Sequence, residues 1–166
     1  MIKRLIRSLT TWPDGQAWTR CALIGAAGLS VIAVLALTGG VAHWQPRYDG
    51  WPLRLAMVML VPALTEELVF RGVLVPDRGE GRHAVLWIGL GTLAFMLWHV
   101  VEAETFLPRA RLFLAPAFLA SAGVLGLTCA LMRWRSGSLW PCVLLHGLVV
   151  FAWQAFFGGP SIADLR

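Results

Sequence analysis

The chain has 166 residues, 58% of them hydrophobic and only 14% charged, with a mean hydropathy of +0.70. Apolar stretches this long and numerous cannot all face water, so the composition excludes a soluble domain and points to one compact membrane-embedded unit over residues 1–166. The formal charge of +5 does not indicate a nucleic-acid partner, because in a polytopic chain Lys and Arg gather at the membrane ends and set orientation.

Residues 1–20 carry Lys3, Arg4 and Arg7 among Ile2, Leu5, Ile6 and Leu9, followed by Trp12 and Trp18. The pattern predicts a short basic amphipathic segment lying on an anionic inner leaflet. The first apolar run, Cys21–Ala42, is too long for the h-region of a signal peptide and reads as a transmembrane anchor. Four more runs follow at Leu53–Val75, Ala84–Val101, Leu112–Met132 and Leu139–Phe157, each near the roughly 17–25 residues a crossing helix needs. The expected fold is all-α: a polytopic membrane helix bundle of about five transmembrane helices plus the N-terminal interfacial segment. Pro62 offers no N–H to the carbonyl of Val58, which predicts a kink one turn before Glu66. Ala122, Gly126 and Ala130 form a small-residue stripe that predicts close contact with another helix.

Loop charge sets the expected orientation. Lys3, Arg4, Arg7, Arg20, Arg78, Arg82, Arg133 and Arg135 fall on one side of the membrane, and Arg47, Arg54, Arg109, Arg111 and Arg166 on the other. The bias predicts a cytoplasmic N-terminus and an external C-terminus. Tryptophans 12, 18, 87, 134 and 140 on one side, and 44 and 51 on the other, fit two interfacial belts. Cys21, Cys129 and Cys142 lie in separate apolar stretches without metal-ligand spacing and read as small buried apolar residues.

Ionisable residues at bilayer depth cost about 2.5–3.5 kcal/mol each on insertion scales, so those inside the runs need a reason. Glu66, Glu67 and Arg71 interrupt the run from Leu53 to Val75. Glu67 and Arg71 stand one turn apart with the carboxylate N-terminal, the favourable order for an intrahelical pair, and read as structural. Glu66 points away from that face and is left as the working group. His99, with Phe95 one turn before it, lies in the third span. His146, flanked by Pro141 and Gly147 and followed two turns later by Gln154, lies in the fifth. Taken singly, a membrane histidine most often serves as a hydrogen-bonded packing residue. An unpaired carboxylate and two histidines on three helices together predict a shared polar cavity. His43 and His83 fall in loops and are expected to be solvated.

These residues also carry a resemblance. Glu66-Glu67-Leu68-Val69-Phe70-Arg71 matches the EExxxR signature of the CAAX-protease and bacteriocin-processing family of intramembrane endopeptidases. Phe95-Met96-Leu97-Trp98-His99 resembles that family's FxxxH block, and residues 137–146, ending in His146, resemble its third block. The blocks stand in the family's order within a motif-bearing core at 53–158; the N-terminal 60 residues add nothing to the match. The resemblance implies a glutamate-dependent peptidase without a cofactor. In it Glu66 activates water, His99 orients that water, His146 donates to the oxyanion, and Glu67 with Arg71 holds the base. It also implies a membrane-anchored peptide or protein substrate and, for the short bacterial members, the cytoplasmic (inner) membrane. One position departs. Prenyl-protease members carry an asparagine four residues after the second histidine, where this chain has Val150, and the chain contains no asparagine. That better suits short bacterial members processing C-terminal sorting tails, of which the JDVT type is one.

Three other readings stand beside this one. Glu66, His99 and His146 could supply a two-histidine, one-carboxylate zinc site of a membrane metalloprotease. Carboxylate–histidine sets also relay protons in transport components, although no inverted repeat is visible. A catalytically silent binding or immunity protein could keep the same scaffold.

Overall fold

The computed structural model describes residues 2–165, and at 81, 82, 162 and 163 the backbone only. Arg166 and the side chain of Arg82, both counted in the charge bias, lie outside the described residues. The fold is all-α, and the apolar helices make it a multi-pass membrane protein. Among the described residues, three helices are long and apolar enough to cross a bilayer, namely Gly15–Thr38, Ala84–Phe106 and Pro116–Ser136; Trp140–Phe156 is a shorter apolar helix.

Helix α1 is Ile2–Thr10 and α2 is Gly15–Thr38. Asp14 caps α2, its carboxylate accepting from the Ala17 N–H at 2.7 Å, a contact worth about 1 kcal/mol. The first span therefore starts at Gly15 rather than at Cys21. The second predicted span is not one helix. Helix α3, Trp51–Val58, passes into a π-helical stretch, Met59–Leu64, then a single α-turn, α4, Thr65–Glu67, then a second π-helical stretch, Leu68–Val73. The expected kink is a full break, because Val61 leaves helical geometry (φ −138°, ψ 113°) before a cis bond to Pro62.

Helix α5, Ala84–Val101, runs on through a π-turn at Glu102–Phe106. Helix α6, Pro116–Ser136, opens on Pro116, whose fixed φ suits a first turn, and ends at Gly137 in the left-handed region (φ +74°). Leu112 falls in a separate 3₁₀ turn, Arg111–Leu114, so the fourth span starts at Pro116. Helix α7 is Trp140–Phe156, and α8 is the short Ile162–Leu165.

Helices α2 and α5 both pack along α6, while α7 packs on α6 and on the broken segment. Cys21, Leu125, Cys129, Met132 and Cys142 form one buried cluster between α2, α6 and α7, and the three thiols are free. The opposite surfaces of the long helices expose Leu23, Val34, Val85 and Leu86, as lipid-facing sides do. Helix α1 docks on the bundle. Its Ser8 carbonyl accepts from the Leu139 N–H at 2.9 Å, its Leu9 carbonyl from the Trp140 indole at 3.0 Å, and Arg4 donates to the Val73 carbonyl at 2.9 Å. Ile2 and Ile6 remain exposed on its outer side. At the other end of the bundle, residues 43–47 pair with the end of α7, and Arg47 lies 3.9 Å from Asp164.

Candidate active site

The break at Val61 restarts the helix at Pro62 and turns Glu66 and Glu67 into the bundle, where they are 7% and 0% exposed. Widened π-turns on both sides of α4 are a feature recurrent at functional sites. Glu67 lies at the centre of a buried polar cluster. Its Oε1 accepts from Arg71 Nη1 at 2.9 Å and from His146 Nδ1, also at 2.9 Å. The guanidinium of Arg71, itself 1% exposed, lies 4.2 Å from the centroid of the Phe95 ring. A desolvated cation over an aromatic face adds roughly 2 kcal/mol. Room for both comes from Gly126 of the small-residue stripe: a Cβ there would stand 3.1 Å from Arg71 Nη2 and 3.1 Å from Phe95 Cδ1.

His146 is 2% exposed and bridges the two glutamates, with its Nε2 4.0 Å from Glu66 Oε2. A carboxylate oxygen only accepts, so the Nδ1 facing Glu67 carries the proton. The same logic fixes His99. Its Nδ1 donates to the Phe95 carbonyl one turn back at 2.8 Å, and the neutral ring presents a lone pair at Nε2. The His99 ring is held edge-on by Phe95 (centroids 4.8 Å apart), Phe118 (5.4 Å) and Phe113 (5.7 Å). Glu66 Oε2 is buried with no hydrogen-bond partner among the described residues.

Glu66, His99 and His146 all line one cavity of about 730 Å³. Its walls are largely apolar, built from α2, the broken segment, α5, α6 and α7, and it extends to Phe157 and Leu165 at the end of the bundle away from α1. Glu67 and Arg71 stand behind this wall and do not line it. Val150 and Gln154 do line it, so the position of the missing asparagine faces the cavity with an apolar side chain. His43 and His83 are exposed and lie outside it.

Two cavity residues escaped the sequence reading. Trp98 has a buried indole N–H without a hydrogen-bond partner among the described residues, and Glu102 is a further carboxylate on the same wall. Glu102 was hidden because the third span was ended at Val101. The available signal was spacing: Trp98 and Glu102 stand four apart on one helix face, the same interval that joins Phe95 to His99. Among the described residues, no group of three or more His, Cys, Asp or Glu side chains converges to hold a metal ion.

Residues 48–152 match the family model described as type II CAAX prenyl endopeptidase Rce1-like. No curated protein and no solved structure matches the chain. The match takes in more than half of the chain and the five candidate site residues Glu66, Glu67, Arg71, His99 and His146. The chain therefore belongs to the Rce1-like family of type II CAAX prenyl endopeptidases, and is a glutamic-type intramembrane protease.

Proposed function

We propose that the chain cuts membrane-anchored or C-terminal sorting peptides inside the bilayer, with Glu66 as general base. The observation that carries this reading is that Glu66, His99 and His146, from three separate helical stretches, line a single cavity with the Glu67–Arg71 pair directly behind them. Peptide hydrolysis needs an activated water, a donor for the carbonyl oxygen and a proton for the leaving amine. Glu66 serves the first and third needs. Its free Oε2 takes a proton from water as the water oxygen bonds to the carbonyl carbon. When the C–N bond breaks, the same carboxyl passes that proton to the departing nitrogen, so atoms and protons balance.

His99 accepts from the attacking water at Nε2, since its Nδ1–H is committed to Phe95. In its imidazolium form His146 donates from Nε2 to the oxyanion, a role in which one well-aimed donor is worth about 10²–10³ in rate. Glu67 stabilises that imidazolium through Nδ1, as a buried carboxylate does in a triad, and Arg71 offsets the charge of Glu67. Glu67 and Arg71 are thus positioning residues.

Val150 on the cavity wall favours the short bacterial members that process sorting tails over enzymes of prenylated substrates. On that reading residues 1–166 act as one domain in the bacterial inner membrane, with the N-terminus cytoplasmic. Mass spectrometry of membrane peptides from cells carrying wild-type or Glu66→Gln protein tests the proposal. Peptides shortened only with the wild type are expected, and identical peptide sets with equal amounts of folded protein would sink it.

A further inference from the structure

At the α1 end of the bundle, two guanidinium groups share one carboxylate, Asp77, and two further arginines stand close by. Asp77 accepts from Arg7 Nη1 at 2.8 Å through Oδ2 and from Arg133 Nη2 at 2.7 Å through Oδ1, so both of its oxygens are taken. Arg133 is 0% exposed, and its Nε and Nη1 are buried without hydrogen-bond partners among the described residues. Arg78 and Arg135 are exposed and form no ion pair or hydrogen bond with another described side chain. The Arg135 guanidinium lies 5.1 Å from the centroid of the Trp134 ring. Glu80, the nearby second carboxylate, is taken by Arg4. Beside Asp77, with Arg133 behind it, is a cavity of about 290 Å³ lined by Arg7, Thr11, Asp77, Arg78, Arg135 and Gly137 among others.

A single carboxylate leaves most of this positive charge uncompensated, and a buried guanidinium with idle donors is costly. The surroundings set the depth. Trp12, Trp18 and Trp140 pack together beside this end (centroids 5.9 and 6.4 Å apart), and Ile2 and Ile6 protrude from α1. Both features belong to a membrane–water interface.

We propose that this cavity binds the phosphate of an anionic phospholipid headgroup. Planar guanidinium forks match phosphate oxygens two at a time, and a phosphodiester monoanion at this depth would accept from Arg78, Arg135 and Arg7 while leaving Asp77 in place. The bound headgroup links α1, the segment after the second π-helical stretch and the end of α6, adding to the contacts through Asp77 and the packing of Val75 on Ala130.

The full chain in zwitterionic detergent, examined by native mass spectrometry and thermal unfolding, tests this. The probes are phosphatidylglycerol, phosphatidylcholine and inorganic phosphate, with wild-type protein and the double variant Arg78→Gln/Arg135→Gln. Both substituted side chains are exposed, so without probe the variant is expected to unfold at the wild-type temperature. Wild type is expected to retain one phosphatidylglycerol in preference to phosphatidylcholine, and the double variant to hold it roughly tenfold more weakly, about 1.4 kcal/mol. If inorganic phosphate alone stabilises the wild type, displaces the lipid and fails to act on the double variant, the anion site stands and takes its phosphate from a soluble source as well. Equal retention of the two lipids without a response to phosphate, or undiminished phosphatidylglycerol binding by the double variant, would overturn the proposal.

Discussion

Adjacent glutamates here have opposite surroundings. Glu67 is fully buried behind the cavity wall with its Oε1 shared by a cation and an imidazole, whereas among the described residues no hydrogen bond holds the Glu66 carboxylate, which lines the cavity. Removing Arg71 leaves Glu67 as an uncompensated buried charge, so Arg71→Ala is expected to cost about 3–5 kcal/mol. Thermal unfolding in detergent reads this directly, and a wild-type melting temperature would contradict the structural role of the pair. Trp98 offers a subtler contrast. Its indole N–H is buried, has no hydrogen-bond partner among the described residues, and belongs to a residue of the cavity wall. Trp98→Phe removes an unsatisfied donor and is expected to leave stability unchanged. Peptide cleavage is expected to fall by roughly tenfold as the cavity loses a hydrogen-bond donor beside the base. An unaltered rate would show that this N–H takes no part.

At the scale of elements, the site depends on where helices break and how closely they approach. The Glu67–Arg71 pair and the Phe95–His99 contact were legible in the sequence because both are intervals of one helical turn. The bond from His146 to Glu67 was not legible, since it joins residues 79 positions apart and depends on the angle between two helices. Pro62 signalled a kink, but the excursion of Val61 out of helical geometry and the π-turns around α4 had no residue-level signature. The docking of α1 was hidden for a related reason. Its basic and apolar residues suit a membrane surface, and only the fold brings Leu5 to within 2.6 Å of where a Cβ on Gly72 would stand. The small-residue stripe was legible as a contact surface, though not as the space that admits Arg71 and Phe95. Gly126→Leu is accordingly expected to destabilise the protein by about 1–3 kcal/mol through overpacking. It should also depress cleavage by shifting Arg71; unchanged unfolding and activity would show that the space is not needed.

At the scale of the whole molecule, apolar outer faces leave little polar surface, and among the described residues the buried charged side chains and histidines gather in two places. One is the Glu66 cavity, which extends to the end carrying α8. The other is the Asp77 cluster under α1, at the far end of the motif segment. The proposed chemistry draws its proton transfers from Glu66 and its oxyanion donor from His146. Cleavage is therefore expected to persist in EDTA, and loss of activity restored by zinc would favour the metalloprotease reading instead. The most direct measurement of the central claim compares Glu66→Gln and Glu67→Ala, scoring both peptide cleavage by mass spectrometry and thermal unfolding in detergent. Glu66→Gln is predicted to melt like the wild type and cut nothing, while Glu67→Ala melts several degrees lower because Arg71 and His146 lose their shared acceptor. A folded Glu66→Gln protein that still cleaves the wild-type peptides would contradict the account.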